Sequence, residues 1–327
     1  MTTDSRWMDY ALRLGRRALG ATAENPNVGC VIVRDGCVVG IGWTQPGGRP
    51  HAETEALKMA GEKARGATAY VTLEPCAHQG RTPPCAEALV QAGVARVVTA
   101  VEDPDPRVSG GGHAILRAAG ISVETGIGAD EARRDLAGFL TRMTRKRPYV
   151  ILKLALSADG MIAGGRGQQT AITGPEVKAR VHLMRAQSDA ILVGMETALV
   201  DDPELTCRLP GLEHRSPRPF VMSRSRDLPA QSHLARRGAE VLRGGVAEVL
   251  ADLGHRGINR LMVEGGARIA AAFLATGWVD EIDLFRSAAV VGPQGIPGLA
   301  DGALLPFAAT QEERLGADTL TVYERRT

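Results

Sequence analysis

His51-Ala52-Glu53 and, after a helical stretch, Tyr70-Val71-Thr72-Leu73-Glu74-Pro75-Cys76 leading on to Cys85, form the stretch that decides the fold. His51 offers a neutral imidazole nitrogen, and Cys76 and Cys85 offer two thiolates. Three N/S ligands leave the fourth tetrahedral position of a Zn²⁺ open, the arrangement of a catalytic site and not of a structural one. An open position would hold a water whose pKa the metal lowers from about 15.7 to about 7. Two thiolates offset the metal's charge, so the site can be buried without a large desolvation cost. Glu53 lies two residues past the first ligand at a helix start, where its carboxylate can sit beside the metal without binding it. A free carboxylate there can take a proton from water and deliver protons to a ring nitrogen and to departing ammonia.

H-x-E…P-C-x-x-C is the known signature of zinc base deaminases. Here the second gap is wider, with eight residues between Cys76 and Cys85: Ala77-His78-Gln79-Gly80-Arg81-Thr82-Pro83-Pro84. His-x-Glu alone is common on solvated helices, and two Cys alone are more often small buried hydrophobes. Together, with Pro75 before the first Cys and Pro-Pro ahead of the next helix, they read as a hydrolase zinc centre.

A longer match names a family. Asn25-Pro26-Asn27-Val28-Gly29-Cys30-Val31-Ile32-Val33, Gly40-Ile41-Gly42-Trp43, Gly47-Gly48-Arg49-Pro50-His51-Ala52-Glu53 and Thr72 to Cys85 closely resemble the bifunctional riboflavin-biosynthesis deaminase/reductases. The widened Cys gap, with its His-x-Gly-Arg-Thr-Pro-Pro insert, is specific to that family among zinc deaminases. The resemblance covers nearly the whole chain and is strongest over residues 1–145. It implies a cytidine-deaminase-like domain over 1–147 followed by a dihydrofolate-reductase-like domain over 148–327, an α/β chain using one Zn²⁺ and NADPH. It implies Asn25 bonding the pyrimidine, His78 and Arg81 the ring or the ribose phosphate, and Asp103 of Glu102-Asp103-Pro104-Asp105-Pro106 the ribosyl portion. Asn25 could instead cap a turn, and Arg81 could be a solvated charge. Thr44 stands where the family usually carries His.

A chain of 327 residues is about two domains, each long enough for its own core. A net charge of +2 argues against a broad nucleic-acid footprint. No apolar run approaches membrane-helix length and the N-terminus lacks a signal peptide's apolar core, so a cytoplasmic enzyme is expected. Cys30 and Cys37 flank an Asp35-Gly36 hairpin turn in a register that sets Cys37 opposite Arg34, too distant for a bridge. Cys207 has no partner in sequence.

Strands alternating with helices imply a sheet covered on both faces. The spacing predicts helices over 4–20, 51–64, 84–92 and 109–119 and strands over 68–73, 95–101 and 121–124. Residues 131–147, with Arg133, Arg134, Arg142, Arg145, Lys146 and Arg147, read as one amphipathic basic linker helix before Pro148. Gly110-Gly111-Gly112 matches no phosphate motif and reads as a helix entry. The second half opens on a buried strand, Tyr149 to Ser157, interrupted by Lys153. A helix over 175–187 follows, with Thr173 as candidate cap, then strand 189–193, and a later strand 259–263 meeting Glu264-Gly265-Gly266 and a helix. Strand, Gly pair and helix N-terminus make a natural cradle for a dinucleotide phosphate.

No G-x-G-x-x-G is present, so the reductase rests on resemblance. Leu152-Lys153-Leu154-Ala155-Leu156-Ser157-Ala158-Asp159-Gly160, Asp201-Asp202-Pro203 with Leu205, Thr206 and Arg208, and Val263-Glu264-Gly265-Gly266 look like the family's reductase domain. In that family NADPH delivers hydride to the ribosyl carbon of an opened imine, leaving a ribityl chain. The resemblance puts NADPH against Ala155, Thr197, Asp201, Gly265 and Gly266, and substrate against Lys153, Arg185, Leu205, Arg208 and Glu264. Asp201 is a candidate proton donor or orienter, although adjacent acids can simply cap a turn. Gln169 and Ala171 occupy cofactor positions where the family commonly carries Ser-x-Trp. Ser223 replaces a usual Asp, and Arg286-Ser287 a usual Ala-Pro. These departures favour a weakened reductase as an alternative. A tRNA or nucleobase deaminase and a zinc-stapled binding module are the remaining rivals. The family is commonly oligomeric, and the expected partner is a small phosphorylated pyrimidine, not nucleic acid or membrane.

Overall fold

A computed structural model describes residues 2–77, 83–105, 108–165 and 171–326. The chain divides into two compact units, Met1–Lys146 and Arg147–Thr327. Arg147 belongs to the second because its guanidinium is buried against Asp280, with bonds of 2.6 and 2.8 Å.

The first unit runs α1 (Thr3–Arg16), β1 (Gly29–Arg34), β2 (Cys37–Trp43), α2 (Ala52–Ala60), β3 (Thr68–Leu73), α3 (Cys85–Ala92), β4 (Arg96–Val101), α4 (Gly111–Ala118), β5 (Ser122–Thr125), α5 (Ala129–Asp135) and α6 (Ala137–Arg145). Its described strands form one sheet in the order β2-β1-β3-β4-β5. β1 is antiparallel to β2 and to β3, while β3, β4 and β5 are parallel. The Asp35-Gly36 turn sets Arg34 opposite Cys37 and Cys30 opposite Gly42, and both Cys are free thiols.

Two faces of this sheet are covered by backbone-close helices. A Cβ on Gly29 would lie 1.9 Å from the carbonyl oxygen of Ala11 in α1, and one on Gly42 would lie 2.1 Å from that of Ala52 in α2. Glycine at 42 therefore lets the first turn of α2 rest on β2, which fixes the position of His51 and Glu53. The helix expected over 51–64 keeps α-geometry only to Ala60 and closes with a 3₁₀ turn over Gly61–Ala64. Gly61 at φ 53° ends the α-ladder.

The single linker helix expected over 131–147 is two helices, with a break at Leu136. Leu136 is buried in the first unit's core, and the break turns the chain so that Ala132 and Phe139 also reach it. Arg142 donates to the Glu24 carbonyl at 2.6 Å, so this basic segment closes the first unit and is not a free linker.

The second unit runs β6 (Tyr149–Leu156), β7 (Met161–Ala163), α7 (Pro175–Ala186), β8 (Ala190–Gly194), α8 (Met195–Val200), β9 (Arg218–Met222), α9 (His233–Arg236), β10 (Glu240–Leu242), α10 (Val246–His255), β11 (Arg260–Glu264), α11 (Ala267–Ala275), β12 (Glu281–Arg286), β13 (Ile296–Pro297), β14 (Phe307–Leu315) and β15 (Asp318–Arg325). Eight described strands form a sheet in the order β10-β9-β8-β11-β6-β12-β15-β14, parallel from β10 through β12 and antiparallel beyond. α10 and α11 pack on one face through Leu250, Leu253 and Phe273. α7, α8 and α9 pack on the other through Val181, Met184 and Leu234. Thr173 does not cap α7: the cap position is Gly174, whose N–H donates to Asp318 Oδ2 at 2.8 Å instead. Among the described residues no helix is long and apolar enough to cross a membrane.

Candidate active sites

His51 is the N-cap of α2, Cys85 opens α3, and Cys76 lies in the loop after β3. These three side chains converge, their ligand atoms all within 4.8 Å of one another. His51 Nδ1 stands 3.7 Å from Cys76 Sγ and 3.4 Å from Cys85 Sγ. A tetrahedral Zn²⁺ with ordinary Zn–N and Zn–S bonds places its N and S ligands about 3.6 Å apart. The donor set therefore fits zinc as it stands, with Nδ1 and not Nε2 as the ligand atom.

The electrostatics agree. Hydrogen bonding from the Cys85 thiol, with a further contribution from His51, pulls Cys76 down to about 4. Cys85 is driven up by the same contact and by burial, so the bare site keeps one thiolate and one thiol. Loading zinc removes the remaining proton, which couples metal affinity to pH. Glu53 is buried beside these ligands and its carboxyl is pushed up to about 7, chiefly by burial, with His51 opposing. A carboxyl poised near neutrality suits proton transfer in both directions.

Glu74, which the sequence reading passed over, ties the pocket together. Its buried carboxylate accepts from the N–H of Asp103 at 3.3 Å, of Gly110 at 3.1 Å and of His113 at 3.2 Å. The loop carrying Cys76 is thereby fixed to the Asp103 loop and to the start of α4. Gly112 has a matching reason, since a Cβ there would lie 2.0 Å from the Pro75 carbonyl oxygen. Within the Gly triplet, Gly112 is thus the close-packing position. Its signal was the Glu next to Pro75-Cys76, visible but without a partner in sequence.

Asn25 has its amide against Gly48, just ahead of His51. Asp103 is buried, accepts from the Asp105 N–H at 2.8 Å, and is pushed up to about 6, mainly by burial. Thr44 is buried, donating to the Pro26 carbonyl at 2.8 Å and accepting from the Val28 N–H at 3.0 Å. It braces the backbone just after Asn25. His78 and Arg81 lie outside the described residues, as does Gln169.

In the second unit, Lys153 on β6 is register-paired with Glu264 on β11. Arg185 grips Glu264 through two bonds of 2.7 and 3.0 Å and donates to the Thr206 carbonyl at 3.0 Å. Burial works against ionisation of Glu264, yet Arg185 and then Lys153 hold its carboxyl below the usual range. Burial in turn lowers Lys153, with Glu264 opposing. Leu205 is buried at φ 54°, a left-handed backbone unusual for leucine. Arg208 is exposed and paired with Glu204 at 2.7 Å. Asp201 ends α8, its N–H on the Thr197 carbonyl, and burial raises its carboxyl.

Gly266 is the N-cap of α11, and a Cβ there would come no closer than 4.0 Å to Thr197 Oγ1. Gly265 cannot carry a side chain, because its Cβ would lie 1.8 Å from Ile269 Cγ2. Strand β11, the Gly pair and the α11 N-terminus leave room for a phosphate bound by backbone N–H groups, so this end of the sheet fits a dinucleotide. Ala155 lies on β6 beside Phe285. Ala171 is exposed ahead of α7. Ser223 closes its own turn, donating to the Arg226 carbonyl at 2.8 Å and accepting from its N–H at 3.1 Å, so the replacement of Asp leaves the loop supported.

Residues 1–101 match the family model of the cytidine and deoxycytidylate deaminase zinc-binding region, and residues 148–320 that of the RibD C-terminal domain. Full-length relatives match as well. The riboflavin biosynthesis protein RibD of Escherichia coli is 40% identical, the match covering 96% of this chain and 97% of that one. The chain belongs to the RibD family. The RibD of Aquifex aeolicus is 37% identical over 98% of both chains. Among solved structures, Acinetobacter baumannii RibD has a TM-score of 0.92 at 37% identity, and the Thermotoga maritima deaminase/reductase 0.89 at 32%, each covering 99% of both chains. RibD membership makes this a bifunctional enzyme of riboflavin biosynthesis, a deaminase and a reductase using Zn²⁺ and NADPH.

Proposed function

We propose that the two units carry out consecutive steps on one phosphorylated substrate. The first would remove the 2-amino group of 2,5-diamino-6-(5-phosphoribosylamino)pyrimidin-4(3H)-one, and the second would reduce the ribosyl group to ribityl. The observation that carries this reading is the convergence of His51 Nδ1, Cys76 and Cys85 at zinc-ligand spacing, with Glu53 buried beside them.

Zn²⁺, held by His51, Cys76 and Cys85, supplies Lewis acidity that makes water a nucleophile at neutral pH. Glu53 would take a proton from the attacking water and pass it to the ring nitrogen, then take the proton of the hydroxyl now on the ring carbon and deliver it to the departing amino group, which leaves as ammonia. Asn25 orients the pyrimidine, and His78, Arg81 and Asp103 hold the ribosyl phosphate portion. NADPH supplies hydride to the second step. When bound, the cofactor would be held by Gly265, Gly266 and Thr197 at the start of α11 and by Ala155, Asp201 and Ala171, with Gln169 among its contacts as the family resemblance implies. Lys153, Glu264, Leu205 and Arg208 hold the substrate. Arg185, spent on Glu264 and Thr206, acts by fixing Glu264, and Asp201 orients the reacting carbon or donates a proton. Glu264, paired with Arg185, lies beside Lys153 and opposes the lowering of its pKa by burial, and the pair of side chains suits an anionic or carbonyl-like group. We place the enzyme in the cytoplasm and expect a homo-oligomer.

Mass spectrometry of the diaminopyrimidinone ribosyl phosphate incubated with zinc-loaded protein, with and without NADPH, tests the whole reading. Deamination without cofactor and reduction only with it are expected. Deamination alone would leave the reductase half unsupported, and no deamination would overturn the substrate.

A further inference from the structure

His182 and Arg185 lie one turn apart on α7, so their side chains share a face of the helix. That face meets the irregular stretch after α8, residues 201–208, which carries Asp201, Leu205 and Arg208. The stretch is bent hard. Asp202 at φ 38° and Leu205 at φ 54° both hold left-handed backbone without being glycine. Such conformations persist only where the surroundings over-determine them. Here the surroundings are side chains from other elements. Asp202 Oδ1 accepts from the His233 N–H at 2.8 Å, Arg237 donates to the Glu204 carbonyl, and the Cys207 N–H donates to Ser216 Oγ at 3.0 Å.

The peptide that follows Leu205 is held from α7. The Thr206 carbonyl accepts from Arg185 Nη1 at 3.0 Å, and His182 Nδ1 stands 2.9 Å from the same oxygen. The Arg208 N–H reaches that nitrogen too, from 3.3 Å. One ring nitrogen cannot donate to Thr206 and accept from Arg208 together. Burial, and then Arg185, hold the imidazole below its usual pKa, so the ring is neutral at pH 7 and carries one proton. With that proton on Nε2, lone pairs of Nδ1 and of the Thr206 oxygen would face each other at 2.9 Å. With it on Nδ1, the contact becomes a hydrogen bond and both lone pairs of the carbonyl are filled. Only the long bond from Arg208 is given up, and its N–H belongs to an exposed residue that water can reach.

We propose that His182 is a positioning residue of the reductase: as its Nδ1–H tautomer it clamps the Thr206 carbonyl together with Arg185, and so fixes Leu205 and Arg208 against the substrate. This rests on the reading of the second unit as the ribosyl reductase. Arg185 cannot do the work alone. Its Nε and Nη2 are committed to Glu264 at 2.7 and 3.0 Å, which leaves one N–H for the Thr206 oxygen. Without His182 the left-handed Leu205 backbone has one donor fewer to hold it against its own strain. The cofactor positions Thr197, on α8, and Gly265 and Gly266, between β11 and α11, lie outside the clamp. The effect therefore falls on the substrate and not on NADPH.

Steady-state kinetics of the full-length, zinc-loaded protein on already deaminated substrate with NADPH test this, together with nitrogen NMR of histidine-labelled protein. His182→Leu should raise the KM for that substrate and lower kcat/KM by about three- to tenfold, the worth of one hydrogen bond, with the KM for NADPH unchanged. His182→Asn sets an amide N–H close to the place of Nδ1–H and should restore the wild-type KM. His182→Gln sets its amide at the place of Nε2 and should not. Deamination should keep the wild-type rate in all three. In the NMR spectrum, the ring signals lost in His182→Asn should be those of a neutral imidazole with its proton on Nδ1. The Asn and Gln pair serves if His182→Leu does not fold. A substrate KM unmoved by Leu or Gln, Asn no better than Gln, or a proton on Nε2 would each overturn the proposal. Wild-type protein that fails to reduce this substrate would instead overturn the proposed function, and the NMR spectrum would still decide the clamp.

Discussion

Glu53 and Asp103 are both buried carboxyls pushed upward by desolvation, to about 7 and about 6, but the consequences differ. Glu53 is placed to move protons and has no bond to the proposed metal to lose. Glu53→Gln should therefore keep zinc at one per chain by metal analysis while deamination falls roughly 10²–10⁴-fold. Retained turnover would remove Glu53 from the reaction. Asp103 reads out in stability. Its folded-state pKa lies above the unfolded value, so the native state binds the extra proton between about 4 and 6. In that window stability falls as pH rises, and above about 6 the charged form is a constant penalty. Asp103→Asn keeps an oxygen to accept from the Asp105 N–H and removes the charge. At pH 8 it should stabilise the first unit by about 1–2 kcal/mol, after allowance for partial solvent access, with the gain vanishing below pH 4. Urea melts at pH 8 and pH 4 check this. An equal effect at both would assign the change to packing instead.

At the scale of elements, the site is held by two glycine contacts and one carboxylate. Gly42→Ala would press a methyl into the Ala52 carbonyl at 2.1 Å and the Ala56 N–H at 2.7 Å, lifting the first turn of α2 from β2. Overpacking of that kind costs about 1–3 kcal/mol and moves His51 and Glu53 together. Zinc affinity and stability should fall in parallel, whereas a wild-type zinc affinity would show that α2 is not positioned by this contact. Much of this level was legible in the sequence. The strand expected over 68–73 became β3 residue for residue, Asp35-Gly36 set the β1–β2 hairpin register, and His51, Cys76 and Cys85 came together. What was not legible depended on long-range partners. The basic run 131–147 has helical spacing throughout, but burying Leu136 breaks it in two. Thr173 looks like a cap until Asp318, far along the chain, takes the Gly174 N–H. Glu74 and Arg185 likewise found their roles in partners that no local pattern announces.

At the scale of the whole molecule, each unit has its own sheet and core, and among the described residues the three proposed zinc ligands all lie in the first. The two chemistries should therefore fail separately. Asp201→Asn should leave deamination at wild-type rate while slowing NADPH oxidation, and an unchanged reduction rate would release Asp201 from its role. The converse is the sharper test because it changes no residue. Removing zinc with a chelator withdraws its binding free energy from the native first unit only, so that unit should melt at lower temperature while the second unit's transition stays in place. Lowering pH should make removal easier, since a proton must return to the Cys76–Cys85 pair. The chelated protein should still reduce substrate that has already been deaminated, at the rate of the zinc-loaded enzyme, and regain deamination when zinc is restored. A reductase that stops on chelation would show that the first unit's fold, and not only its product, is needed by the second.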